Sequence, residues 1–194
     1  VIVEEKDPEF KNPTKPIGPF FTYKEAEEMK GLFDYPIKKD ANRGYRITVP
    51  SPRPVDIVEK EIIKKLVEEG NVVIAGGGGG IPLVRKGNKL KAVYGVIDKD
   101  LCSAKIASFL NADYFLILTQ VEKVYLNYGK ENQIPIDVMK IEEAVKYLKG
   151  KTFSIFSFII SFAISTSFSF TSNKSSSCIC NIIWASRLFF LNSS

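Results

Sequence analysis

Five consecutive glycines, Gly76–Gly80, are the strongest constraint on how this 194-residue chain can fold. The short apolar run before them, Val72–Ala75, predicts a buried strand that ends where the glycines begin. A loop in that position faces the ligand crevice of an open α/β sheet. Because glycine lacks a Cβ atom, the backbone N–H groups of such a loop can come close to a phosphate or carboxylate. The candidate anion-binding residues are Gly76, Gly77, Gly78 and Gly79, unless the run is no more than a flexible loop.

Two common glycine motifs are excluded at this position. A Walker P-loop ends in Gly-Lys-Ser/Thr, whereas Gly80 is followed by Ile81 and Pro82. A dinucleotide fingerprint that starts at Gly76 would need glycine or alanine at Ile81. A nucleotide would therefore have to be bound by another architecture.

A second candidate site follows the apolar run Val93–Ile97. Asp98 precedes a stretch whose apolar residues recur every three to four positions, which predicts a helix capped by Asp98. Lys99 and Asp100 then fall in the first turn, at the mouth of the crevice. Phosphoryl transfer needs positive charge against the developing negative charge on the phosphoryl oxygens, which Lys99 can supply while Asp100 holds it. The alternative is a capped helix with two solvated charges.

Most prolines lie between Pro8 and Pro54 and predict a small, loop-rich lobe. Within it, Thr22-Tyr-Lys-Glu25 has the pattern of a capping box. Lys15 lies between two prolines, so its backbone is restricted and loses less entropy when its charge is placed over a phosphate. Lys15 is therefore a better candidate than Lys11, the alternative being a rigid surface turn.

The remaining elements are predicted from apolar patterning. Asp56–Glu69 is predicted to be a helix that ends at Gly70. Tyr114–Leu118 is predicted to be a central strand, from whose carboxyl end Thr119–Tyr125 leaves. The apolar face of the helix predicted at Asp56–Glu69 carries Val55, Val58, Ile62, Ile63, Leu66 and Val67.

Composition excludes several classes of function. The chain contains no histidine, so Ser-His-Asp triads, histidine bases and histidine-containing zinc sites are ruled out. The three cysteines, Cys102, Cys178 and Cys180, lack metal-ligand spacing and suggest a reducing compartment. Of the 27 basic residues, only Lys174 and Arg187 follow residue 151. The other 25 basic residues and the 22 acidic residues give residues 1–151 a net charge of +3. With no basic patch that contains interleaved aromatics, nucleic-acid binding is not expected.

Four blocks, in this order between residues 7 and about 150, resemble the carbamate kinases: Lys11-Asn-Pro-Thr-Lys-Pro-Ile-Gly18, Gly76–Gly80 with Ile-Pro, Val96-Ile-Asp-Lys-Asp100 and Leu118-Thr-Gln-Val121. The resemblance implies the amino acid kinase fold, a three-layer α/β/α arrangement around a mainly parallel sheet. It also implies reversible phosphoryl transfer between ATP and carbamate, usually toward ATP in arginine fermentation. Asp40–Arg46 and Val49–Ile57 resemble carbamate kinases and not acetylglutamate, uridylate or aspartate kinases.

The resemblance assigns roles to residues that match the motifs. Lys15, Lys99 and Asp100 would be catalytic, and the glycines would bind the phosphoryl group or carbamate. Gln120 departs from the acidic residue or alanine usual after the threonine, which leaves the role of its side chain in doubt. Tyr125 is equally well explained as a partly buried aromatic. The implied nucleotide-binding residues are Thr119, Gln120, Val121, Tyr125 and Lys130.

The family further implies ATP or ADP with Mg²⁺, carbamate or carbamoyl phosphate as substrate, a cytoplasmic location and a homodimer. The expected regions are a protruding lobe at 1–54, a nucleotide-binding α/β part at 55–151 and an unrelated tail at 152–194. All acidic residues, glycines and prolines precede residue 152, which suggests that the tail is translated from a shifted frame. The first half of a carbamate kinase has no counterpart here.

Two functions other than carbamate kinase activity are also considered. Because two of the expected lysine positions are absent, the chain could be a non-catalytic remnant that binds a nucleotide or anion. A membrane-attached protein is less favoured, since residues 153–170 are uncharged but carry six serines and a threonine. No membrane partner is therefore expected, and an incomplete sheet predicts exposed apolar faces and poor solubility.

Overall fold

The computed structural model describes residues 1–40, 43–117, 123–140, 143–144 and 146–147. It contains two compact units, Val1–Cys102 and Ser103–Ser194, which we describe separately. In the described residues the elements are β1 (Ile2–Val3), β2 (Lys15–Phe21), α1 (Tyr23–Glu28), β3 (Ile37–Lys39), β4 (Tyr45–Val49), β5 (Pro54–Asp56), α2 (Lys60–Glu68), β6 (Leu83–Lys86), β7 (Lys89–Ala92), α3 (Lys99–Leu110), β8 (Val124–Leu126) and β9 (Ile134–Ile136).

The first unit contains a four-stranded sheet in the order β5-β1-β6-β7. β1 pairs antiparallel with β5 and parallel with β6, with Ile2 opposite Leu83. β6 and β7 form an antiparallel hairpin. Ile2, Val3 and Val84 are buried, so the short β1 lies at the centre of the apolar packing although it has only two residues.

A second sheet of this unit, in the order β2-β4-β3, forms most of the proline-rich lobe. Lys15 lies opposite Val49, at the end of the β2–β4 ladder. The predicted capping box is confirmed: the Glu25 N–H donates to Thr22 Oγ1, and the Thr22 N–H donates to Glu25 Oε2. Both strand pairs of this sheet, β2–β4 and β3–β4, are antiparallel.

The predicted buried strand at Val72–Ala75 is wrong. This segment has no strand structure, and the side chains of Val72 and Ile74 are 93% and 97% exposed. An apolar run becomes a strand only when a neighbouring strand pairs with its backbone and covers its side chains. Within the described residues, no strand lies alongside this segment.

The predicted central strand at Tyr114–Leu118 is also wrong over the four residues that are described. Ile117 is buried, but residues 114–117 are irregular. The expectation of a mainly parallel sheet is corrected for the same reason. Among the described strands, β1 and β6 form the only parallel pair, because the two segments expected to add parallel strands do not pair.

The predicted helix at Asp56–Glu69 is present but shorter, as α2. Its first turn is lost because Pro54–Asp56 instead forms β5 and pairs with β1. Gly70 ends the helix at φ = 84°, and its N–H donates to the carbonyl of Val67. Only Ile63 of the predicted apolar face is fully buried, and Ile62 remains 52% exposed.

The second unit contains most of α3 and the antiparallel hairpin of β8 and β9. Val124 and Ala144 form a small buried cluster there. Around this cluster pack the half-buried side chains of Leu126, Ile136, Met139 and Tyr147. None of the described helices is both long enough and apolar enough to cross a membrane.

Candidate functional site

The site in the first unit is organised around an ion pair between Lys15 and Asp98. The Lys15 Nζ lies 2.6 Å from Asp98 Oδ2, although the two residues are 83 positions apart in sequence. Their side chains are 32% and 23% exposed, so the pair is shielded from bulk water on most sides. Partial burial strengthens the attraction relative to a surface ion pair. Lys15, the first residue of β2, therefore has a fixed ionic partner in Asp98.

Asp98 also caps helix α3, as the sequence predicted. Its Oδ1 atom accepts from the backbone N–H of Asp100 at 3.0 Å and of Leu101 at 3.4 Å. Its carbonyl oxygen accepts from the N–H of Cys102, which closes the first helical turn. These bonds satisfy N–H groups that have no partner inside the helix.

The pKa of Asp98 is lowered from its ordinary value of 3.8 by competing effects. Burial is the largest single effect and acts to raise the pKa, because it penalises the charged form. The hydrogen bond and charge of Lys15, together with the N–H groups of Asp100 and Leu101, outweigh burial. Asp98 is therefore held as a carboxylate, which is the form that can bind Lys15 and cap the helix.

Lys99 and Asp100 occupy the first turn of α3, as predicted. Lys99 Nζ lies 3.4 Å from Asp100 Oδ1, and their side chains are 65% and 23% exposed. An ion pair with one partner so exposed contributes little to stability. Lys99 is therefore free to move toward a ligand.

The glycine run forms a tight turn in which Gly76, Gly78, Gly79 and Gly80 have positive φ values. The N–H groups of Gly79 and Gly80 donate to the carbonyls of Gly76 and Gly77 within the loop. In the described part of the chain, nothing accepts a hydrogen bond from the N–H groups of Gly77 and Gly78, which are exposed. These two are the better anion donors, whereas a contact through the Gly79 N–H would require its bond within the loop to open.

Gly79 is constrained by its neighbour Ile97. A Cβ atom at this position would lie 2.2 Å from the Ile97 carbonyl oxygen, and φ is +93°. Both the backbone angle and the available space therefore require glycine. This close approach brings the glycine loop next to the residue that precedes Asp98. One continuous set of contacts thus joins Gly79, Ile97, Asp98 and Lys15.

Two acidic residues that the sequence analysis missed hold the lobe segment that leads to Lys15. Glu9 accepts from the hydroxyl of Thr14 at 2.8 Å and from the Ser51 N–H at 3.2 Å. Asp7 accepts from the N–H groups of Glu9 and Arg53. The Asp-Pro pair at a turn start is a local signal for Asp7, but no local signal links Glu9 to Ser51, 42 residues later.

The predicted nucleotide-binding residues fall in the second unit or outside the described residues. Thr119, Gln120 and Val121 lie outside them, and so does Leu118. Tyr125 is on β8 and half-buried, with its ring centroid 5.7 Å from that of Tyr128. Lys130 is exposed in the turn of the β8–β9 hairpin, and its N–H donates to the Asn127 carbonyl.

Tyr125 and Lys130 thus lie on one short hairpin, and their contact with a nucleotide stays a prediction. The two possible roles of Tyr125 both remain open, because a half-buried ring suits either. No group of three or more aspartate, glutamate or cysteine side chains that could hold a metal is found among the described residues. Mg²⁺ commonly takes most of its ligands from substrate phosphates and water.

Comparison with known sequences identifies close relatives. The chain is 51% identical over 154 residues to the carbamate kinase-like protein YqeA of Escherichia coli K12, covering 79% of this chain and 49% of that protein. It is also 51% identical over 154 residues to the carbamate kinase of Clostridium perfringens, with the same coverage. The chain thus spans about half the length of the curated relatives it matches.

Solved structures agree with the sequence comparison. Carbamate kinase from Giardia lamblia bound to citric acid matches with a TM-score of 0.77 at 37% identity, over 86% of this chain and 53% of that one. The same enzyme bound to AMP-PNP matches with a TM-score of 0.69 at 38% identity, over 87% and 54%. The predicted α/β fold class is confirmed by these likenesses. The family model described as "Amino acid kinase family" matches residues 21–163, and with most of its length matched the chain belongs to the amino acid kinase family.

Proposed function

We propose that this chain carries the phosphoryl-binding part of a carbamate kinase, which transfers a phosphoryl group reversibly between ATP and carbamate. The observation that carries the proposal is the linkage of two lysines through one carboxylate. Asp98 Oδ2 lies 2.6 Å from Lys15 Nζ, and Asp98 also caps the helix whose first residue is Lys99. Two cations from distant parts of the sequence are thereby tied to one helix start.

The chemistry follows from the charges of these groups. A phosphoryl group in transfer spreads negative charge over its oxygens, and fixed positive charge stabilises it. Lys99 is the exposed, adjustable cation and would follow the moving group. Lys15 is the partly buried, fixed cation and would bind the phosphorylated substrate. The unpaired N–H groups of Gly77 and Gly78 would add neutral donors to the same anion.

The nucleotide would be held by the second unit. Tyr125 offers an aromatic face and Lys130 a cation on the β8–β9 hairpin, and Thr119, Gln120 and Val121 would complete the contact. A relative with bound AMP-PNP supports the use of ATP or ADP. Mg²⁺, a homodimer, a cytoplasmic location and a role in arginine metabolism belong to the same proposal and rest on the family resemblance alone.

The proposal is tested by titrating the purified chain with carbamoyl phosphate in a calorimeter. We expect saturable binding that Lys15→Ala weakens, because the cation proposed to bind the phosphorylated substrate is lost. The control is Lys89→Ala, which removes an exposed lysine from the edge strand β7. No binding by the unaltered chain, or equal losses from both variants, would contradict the proposal.

A second candidate is the non-catalytic remnant, which the 51% identity to a protein described as carbamate kinase-like favours. A remnant of this kind would bind carbamoyl phosphate or AMP-PNP but form no ATP. The same titration combined with a coupled assay for ATP distinguishes the two. Binding with turnover indicates the enzyme, and binding without turnover indicates the remnant.

A further inference from the structure

The two oxygen atoms of the Asp98 carboxylate have separate partners. Oδ1 accepts the N–H groups of Asp100 and Leu101, which belong to the first turn of α3. Oδ2 accepts only from Lys15 among the hydrogen bonds of the described residues. A helix cap needs a single acceptor oxygen, and Ser or Asn would satisfy it equally well. The ion pair to Lys15 is therefore a second task, which capping does not explain.

Lys15 is restrained from its other side as well. Its neighbour across the sheet is Val49 of β4, and the preceding Thr14 donates its N–H and hydroxyl to Glu9. Glu9 also accepts from the N–H of Ser51, two residues after Val49. The backbone at Lys15 is thus fixed, and the flexible part is the four-carbon stem. Asp98 removes that remaining freedom by holding the ammonium group.

We propose that Asp98 is a positioning residue, which uses its second oxygen to fix the Lys15 ammonium group beside the start of α3. This inference rests on the proposed function, because it concerns how Lys15 meets the phosphorylated substrate. Lys15 Nζ has three donors and gives one of them to Asp98, so two remain for an anion. A side chain that is already ordered loses less entropy when the substrate binds.

A double-mutant cycle measures whether Asp98 holds Lys15. Asp98→Asn keeps an oxygen that can cap α3 but removes the charge, and Lys15→Met keeps most of the stem without the ammonium group. Urea unfolding of both single variants and the double variant gives the coupling between the two side chains. We expect coupling of about threefold to tenfold in the unfolding equilibrium constant. Additive effects would overturn the inference.

A spectroscopic signature separates positioning from simple capping. In ¹H–¹⁵N spectra of lysine ammonium groups, the Lys15 signal is identified as the one that Lys15→Arg removes. We expect it to be displaced from the signals of exposed lysines in the unaltered chain and to join them in Asp98→Asn. The matched control is Asp56→Asn, which breaks the ion pair with Lys60 on α2 and should leave the Lys15 signal in place.

Carbamoyl phosphate is the probe for the functional consequence. We expect Asp98→Asn to weaken its binding about threefold to tenfold, since a free Lys15 side chain must then be ordered by the ligand. Asp56→Asn should bind like the unaltered chain. Unchanged or tighter binding by Asp98→Asn would overturn the positioning role. Coupling without any binding by the unaltered chain would instead refute the proposed function, so the two failures are distinguishable.

Discussion

Gly79 and Ile97 approach each other so closely that the glycine Cα hydrogen occupies the only space available. A Cβ atom would lie 2.2 Å from the Ile97 carbonyl oxygen and 2.7 Å from its carbonyl carbon. Both obstacles are backbone atoms, so no side-chain rotation can relieve the clash. The glycine loop is therefore fastened to the segment that ends at Asp98.

Gly79→Ala should lower the free energy of unfolding by about 2–4 kcal/mol, because backbone must shift and a positive φ becomes strained. The measurement is urea unfolding followed by circular dichroism. Gly77→Ala is the matched control, since its Cβ would meet nothing within 4 Å and its φ is not positive. Equal stability of the two variants would show that the approach to Ile97 does not require glycine.

The 194-residue chain alone should form almost no ATP from carbamoyl phosphate and ADP. Lys15, Lys99 and the glycines supply only part of the charge that phosphoryl transfer needs, and the chain spans about half of its relatives. A coupled assay for ATP measures this. Turnover near that of a full-length carbamate kinase would mean that the residues in this chain suffice.

Lys99→Ala, made in a full-length carbamate kinase that carries these residues, should reduce turnover by about 10²- to 10⁴-fold. Nucleotide affinity should change far less, because a charge on the moving phosphoryl group matters most in the transition state. Steady-state kinetics combined with equilibrium binding of ADP separates these two effects. A loss confined to nucleotide affinity would contradict the assigned role.

Lys15→Ala in the same protein should act more mildly than Lys99→Ala. Its main effect should be a higher KM for carbamoyl phosphate, since Lys15 is proposed to bind the phosphorylated substrate in ground and transition states alike. Initial rates at varied carbamoyl phosphate and saturating ADP measure this. If both variants have equally small effects, Lys99 is a solvated residue of the first helical turn.

The contribution of Asp98 to stability should depend on pH. Its pKa is lower in the folded protein than the ordinary value of 3.8, so the folded state favours the carboxylate. The stabilisation is therefore fully present above the unfolded pKa and is lost as the pH falls through the lower folded pKa. The charged group in direct contact with it is Lys15.

The measurement is the free energy of unfolding of the unaltered chain and of Asp98→Asn across the acidic range. The difference between them should be constant near neutral pH and shrink below about pH 4. Comparing the two proteins cancels the titration of other carboxylates, such as Glu5 and Glu25, whose pKa values are also lowered. A difference that grows as the pH falls would contradict the assigned direction.

Local patterns in the sequence were sufficient for the elements that depend on near neighbours. The cap of α3 at Asp98, the capping box at Thr22 and the end of α2 at Gly70 all involve bonds within five residues. Such bonds form wherever the helix forms, so residue type and spacing predict them. The placement of Lys99 and Asp100 in one helical turn follows from the same regularity.

Tertiary structure alone decided the features that depend on distant partners. Val72–Ala75 has the composition of a strand but does not pair, and Val72 and Ile74 remain exposed, because pairing requires a neighbour that no local pattern supplies. Asp98 could be predicted as a cap but not as the partner of Lys15, since 83 residues separate them. Likewise, only the fold brings Gly79 against Ile97. The sequence thus determined the types of the charged and flexible groups, and the packing of distant segments determined which of them meet.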